Sequence, residues 1–196
     1  MTTIHRHPEL DYADIVREDD VVKSPAARKA LAVLRIAFGL TFLWAFFDKL
    51  LALGFHTGYD QEGNLDRFGD AAWINGGSPT EGFLAFGVNP DSPFADFFNG
   101  LAGYAVIDWL FMLGLLAIGT TLTLGIGMRF AAVAGAALYL MMYAAVMVPE
   151  NNPVFDDHLI GAITVVVLAL TLAGDTWGAG KAWAKTHLVR RYGFLR

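Results

Sequence analysis

The stretch WLFMLGLLAIGTTLTLGIGM, Trp109–Met128, holds twenty consecutive residues without a charge. At 1.5 Å per residue, a helix of that length covers the ~30 Å hydrocarbon core of a bilayer. One charge, Arg129, separates it from FAAVAGAALYLMMYAAVMV, Phe130–Val148, which is equally uncharged. Two crossing-length segments around a single tight turn point to a helical membrane protein. Farther on, Leu159–Gly174 is a shorter uncharged run. Asn152-Pro153 ahead of it reads as a cap followed by proline at the first helical position, a start that lengthens the run to a full crossing. Upstream, Ala30–Leu53 is rich in Leu, Phe, Ala and Trp, with Arg35 inside it and Asp48-Lys49 near its end. Ser24-Pro25 is again a cap-plus-proline start.

These readings predict an all-α integral membrane protein, an antiparallel four-helix bundle with spans at about 30–53, 104–126, 128–148 and 153–174. An N-terminal tail (1–29) and a basic C-terminal tail (175–196) flank it. Composition agrees: 55% of the 196 residues are apolar and mean hydropathy is +0.45, while aromatics at 13% and charges at 17% exclude a disordered chain. With no cysteine the chain offers no thiolate for an iron–sulfur cluster, a zinc site or a disulfide. A net charge of −5 argues against nucleic acid as a partner.

Eleven Lys and Arg lie in the two tails and the 128–130 turn, against Arg67 alone in the connection between spans one and two. The positive-inside rule then predicts a multi-pass protein of the cell membrane with both termini cytoplasmic. The first 29 residues lack an apolar core and do not read as a signal peptide. The 54–103 connection carries seven acids. Ser78-Pro79-Thr80-Glu81 is a capping box predicting a short helix through Phe83, Leu84 and Phe86, and Ser92-Pro93 predicts another bearing Phe94, Phe97 and Phe98. Such helices lie in the membrane interface or fold over the bundle mouth as a lid.

Ionisable groups inside spans are costly unless paired or wetted, so they mark candidate chemistry. Asp48 and Lys49 end the first span, Asp108 begins the second, and Asp156, Asp157 and His158 begin the fourth. All six are predicted at one depth near the outer face, with Trp44 and Trp109 beside them. The partner of Lys49 is Asp108 or Asp157. Asp108, Asp157, His158 and Lys49 are the candidate catalytic groups, and Asp48, Trp44, Trp109 and Arg35 the candidate cofactor contacts. Simpler roles stand beside these: a dipole-favoured acid for Asp156, interfacial belt residues for the tryptophans, snorkelling for Lys49 and Arg35. Asp60, Glu62, Asn64 and Asp66 alternate like calcium ligands, but Gly63 is misplaced for such a loop, and a solvated turn is the better reading. The only histidines near the membrane, His56 and His158, do not form a matched axial pair for haem. Ala131, Ala132, Gly135 and Ala136 form a small-residue packing face on the third span.

The segments Arg35-Ile-Ala-Phe-Gly39, Phe42-Leu-Trp44-Ala and Asp48-Lys49-Leu50 resemble the first helix of the DoxX/DoxD family. Ala72-Trp73-Ile-Asn-Gly76-Gly77-Ser78-Pro79-Thr80, Asp108-Trp109-Leu-Phe-Met-Leu-Gly114 and Leu124-Gly125-Ile-Gly127-Met128-Arg129 resemble its DoxD branch. Pro149-Glu150-Asn151-Asn152-Pro153 and Asp156-Asp157-His158 do so too. The likeness runs over roughly residues 30–180. It implies a four-helix membrane subunit of the thiosulfate:quinone oxidoreductase type, which oxidises thiosulfate to tetrathionate and passes the electrons to quinone. Two functions follow as expectations. One is a quinone-reactive redox subunit, with Phe38, Phe42, Phe111 and Met112 against the isoprenoid tail. The other is a non-catalytic accessory subunit that binds lipid or quinone and docks on a second subunit or larger respiratory complex through apolar tail residues such as Leu10, Tyr12 and Ile15. A small solute carrier fits less well, since no paired repeats or broken helices stand out.

Overall fold

A computed structural model describes residues 15–59, 62–149 and 152–196. It is mostly helical, at 62%, with no strand among the described residues. In chain order the helices are α1 (Glu18–Val21), α2 (Pro25–Leu51), α3 (Ala95–Asn99), α4 (Ala105–Leu124), α5 (Met128–Ala145), α6 (Asp157–Leu170), α7 (Gly180–Ala184) and α8 (His187–Arg191). Three of them, α2, α4 and α5, are long and apolar enough to cross a membrane. Their outward faces are the greasy ones: Leu110 is 65% exposed and Val133 73% exposed, and Leu170 on α6 is 71% exposed. Apolar surface on that scale needs lipid or protein to cover it.

Local chemistry sets the helix starts. Ser24 caps α2, its hydroxyl accepting from the Ala27 amide at 3.3 Å, with Pro25 at the first position. The helix therefore begins five residues before the expected boundary. The expected start of the last helix at Asn152-Pro153 is not where α6 begins. Asn152 Oδ1 accepts from the amides of Val154 (2.9 Å) and Phe155 (3.1 Å) and closes only a turn. Asp156 is the cap, through Oδ1 to the Leu159 amide at 2.9 Å. That leaves 14 helical residues, or about 21 Å, short of a full crossing by themselves.

Glycines give the helix pairing. A Cβ on Gly39 would lie 2.6 Å from the Thr123 amide nitrogen, and one on Gly119 would lie 2.9 Å from that of Leu43. Each four-residue step along α2 is thus matched by a step back along α4, so the pair is antiparallel in close backbone contact. Likewise Gly135 faces Val165 and Gly161 faces the Tyr139 ring, making α5 and α6 antiparallel, while Gly135 also faces Ile118 of α4. Ala131, Ala132 and Gly135, the small-residue face, are buried. The core threads all four elements through Phe42, Met112, Ile118, Leu122, Ala131, Val165 and Leu168.

The 54–103 connection lies across one end of these helices. Leu84, Val88, Ala95 and Phe98 pack on Ala145. The Asn89 amide and the Ser92 hydroxyl donate to the carbonyls of Ala145 (3.0 Å) and Ala144 (2.7 Å), satisfying acceptors that the end of α5 leaves open. Phe86, 88% exposed, and Phe97 face outward.

Candidate functional site

Asp108 lies in the first turn of α4 and is buried. Its Oδ1 accepts from the Ser78 hydroxyl (2.8 Å), the Thr80 hydroxyl (2.6 Å) and the Thr80 amide (3.2 Å). Ser78 Oγ in turn accepts from the Glu81 amide at 3.1 Å, so the predicted cap exists and is oriented from below by the carboxylate. The helical turn it starts widens into a π-type turn over Phe83–Gly87. Asp108 is therefore the clasp of the 54–103 connection.

The expected ion pair between Lys49 and Asp108 or Asp157 is not formed. In the α2–α4 register Lys49 faces Leu113, whereas Asp108 faces Gly54, beyond the last residue of α2. The five-residue offset is about 7.5 Å along the axis. Asp157 is exposed in the first turn of α6. Lys49 itself, half-buried, makes no hydrogen bond or ion pair among the described residues.

Asp48 and Arg35 have structural partners that account for them. Asp48, 1% exposed, accepts from three consecutive amides, Phe55 (3.1 Å), His56 (3.0 Å) and Thr57 (3.1 Å), and so folds the chain sharply over the end of α2. Arg35, expected at the cofactor, is fully buried at the opposite end. Nε donates to Ala173 O (2.9 Å), Nη1 to Leu122 O and Thr123 O (2.9 Å for the latter), and Nη2 to Thr176 O (3.3 Å) and Trp177 O (3.0 Å). The guanidinium thus caps the C-terminal end of α4, where the helix dipole favours a cation, and ties to it the turn that follows α6. Gly125 and Gly174 permit that meeting, since a Cβ on Gly125 would sit 2.8 Å from Gly174 O.

Trp44 and Trp109 stack edge-on against loop aromatics, Phe55 at 4.8 Å and Trp73 at 4.7 Å between centroids. Both stay about half exposed, as interfacial side chains do.

His158 is the expected residue with chemistry still open. Its Nδ1 lies 2.6 Å from Asp156 Oδ2. Asp156 is engaged at both oxygens, its Oδ1 accepting from the Leu159 amide at 2.9 Å. The imidazole meets the ring of Tyr139 at 6.4 Å, and Tyr139 meets Phe42 at 5.4 Å and Phe38 at 6.4 Å. Where α2 and α6 touch only sparingly, the Tyr139 ring fills the gap, and Gly161 leaves it room, since a Cβ there would lie 2.7 Å from Cζ. Carried through the antiparallel registers, Lys49 and His158 differ in depth by less than about one turn. Tyr139 was missed from the sequence; its one signal is a phenol hydroxyl in the middle of the uncharged Phe130–Val148 run, where Tyr143 is nearer the end.

Asp60, of the alternating acidic stretch, lies outside the described residues, as do Leu10 and Tyr12 of the tail. No cluster of three or more His, Asp or Glu suited to a metal occurs among the described residues. Compared with protein-family models, with curated proteins and with solved structures, the chain matches none.

Proposed function

We propose that the chain is a DoxX/DoxD-like membrane redox subunit that oxidises thiosulfate or a similar sulfur anion and passes the electrons to quinone. In this reading α6 and the turn to Gly174 make a fourth crossing of an antiparallel bundle, both termini are cytoplasmic, and the 54–103 connection is an outer lid. The carrying observation is the Asp156–His158 pair set against Tyr139, Phe42 and Phe38 between α2, α5 and α6. A quinone, when bound, supplies the acceptor for two electrons and two protons; two thiosulfates release the two electrons as a sulfur–sulfur bond forms in tetrathionate. The chain's own residues handle protons and water. Asp156 holds His158 by Nδ1, which leaves Nε2 to give or take a proton at one edge of the bundle. The unpaired Lys49 ammonium donates a hydrogen bond at similar depth, and the three aromatic rings exclude water.

A second reading, an accessory subunit packed on a larger redox complex, is favoured by a different observation. Arg35, Asp48 and Asp108 are all engaged in holding the fold together. Purification in mild detergent separates the two. Thiosulfate-dependent reduction of a soluble quinone analogue, lost in His158→Ala and kept in Asp157→Asn, supports the catalytic reading. Absence of turnover with a stoichiometric co-purifying subunit supports the accessory one.

A further inference from the structure

At the end of the helices opposite the clasp, one open cavity of about 310 Å³ is lined by Arg17, Lys181, Lys185, Arg196, Ile15 and Ala184. Its cations come from three segments: the residue before α1, α7 with its C-cap, and the last described residue. Part of the wall is fixed from behind. Arg196 Nη2 lies 3.0 Å from Asp175 Oδ2, its Nη1 donates to the Val16 carbonyl, and Asp175 also accepts from the Glu18 amide at 3.0 Å. Arg17 reaches Asp19 at 3.3 Å in a half-exposed pair, the kind that contributes little. Lys181 and Lys185 stand one helical turn apart, and their ammonium groups make no hydrogen bond or ion pair among the described residues. No carboxylate side chain is among the lining residues; Asp175 pairs with Arg196, Asp19 with Arg17, and Asp20 accepts from the Arg17 amide at 2.9 Å. The volume far exceeds the ~30 Å³ of a water and falls at the lower end of small-molecule sites, ~300–1,000 Å³. Exposed Trp177, Leu188 and Phe194, in the chain on either side of α7, suit a position at a membrane–water boundary.

We infer that this cavity binds a phosphate group carried on an organic substituent, with the Lys181 and Lys185 ammonium groups and the Arg17 guanidinium on its oxygens. The inference does not depend on the redox reading. The group is the headgroup of an anionic phospholipid or a soluble organophosphate, and the test distinguishes them. Full-length protein, delipidated in neutral detergent, is titrated with phosphatidylglycerol, phosphatidylcholine and glycerol phosphate, followed by native mass spectrometry and melting temperature. Phosphatidylglycerol is expected to bind stoichiometrically and to raise the melting temperature. In Lys181→Gln/Lys185→Gln, affinity is expected to fall roughly tenfold or more, as loss of two charges facing an anion implies. Lys181→Arg/Lys185→Arg retains it, and Arg17→Gln weakens it. Equal binding of glycerol phosphate assigns the soluble source. Equal response to phosphatidylglycerol and phosphatidylcholine with no glycerol phosphate bound overturns the inference, as does unchanged affinity in the glutamine pair or in Arg17→Gln.

Discussion

Arg35 meets five backbone carbonyl oxygens with all five of its N–H groups. Lysine keeps the charge but offers three donors from one point, so it cannot span the end of α4 and the turn after α6. Arg35→Lys is expected to lower unfolding stability in detergent by roughly 3 kcal/mol, two or more charged hydrogen bonds at ~1.5 kcal/mol each, and equal stability would refute the cap. Asp108 makes the opposite kind of test. Asp108→Asn keeps an oxygen to accept from Ser78 and Thr80, whereas Asp108→Ala leaves both without it. Limited proteolysis is expected to cleave the 78–87 segment faster in the alanine variant only; equal cleavage in the two would remove the clasp. The sequence identified both residues as out of place in an apolar span. It did not disclose their partners: those of Arg35 are backbone carbonyls, which every residue bears, and those of Asp108, Ser78 and Thr80, read only as the cap of their own short helix.

Helix pairing rests on contacts that exclude a single methyl. A Cβ at Gly39 would fall 2.4 Å from Thr123 Oγ1 and 2.6 Å from its backbone nitrogen, so Gly39→Ala must push α2 off α4. We expect a loss of ~1–3 kcal/mol, as in overpacked cores, while Gly114→Ala, with open space around its position, is expected to leave the melting temperature within experimental error. The crossing-length elements were legible from uncharged runs, and the Ser24 cap from its proline. The start of α6 was not, because Asn152 and Asp156 can both cap, and the winner depends on where the chain leaves α5. Depth along the helices was also readable, within a turn or so for Lys49 and His158. It was not readable for Asp108, whose five-residue axial offset from Lys49 is the reason the two do not meet.

At the scale of the whole molecule, one end of the helices carries a carboxyl whose folded environment favours acid. Burial lifts the Glu18 carboxyl above its ordinary 4.5, with Asp175 adding to the rise against the Thr176 hydrogen bond and Arg28. The folded chain therefore holds that proton more tightly than the unfolded one, and stability contributed by Glu18 is full below 4.5 and declines as pH climbs through the folded value. Melting temperature measured upward from pH 4.5 should thus decline, and Glu18→Gln should flatten that slope; an unaltered slope would assign it elsewhere. The Arg35 cap also has a bearing on biosynthesis. Its acceptors at Ala173, Thr176 and Trp177 lie 138 to 142 residues downstream, so the ribosome delivers the cation long before most of the oxygens that neutralise it. A nascent chain halted after α5 carries an arginine still awaiting three of its five acceptors.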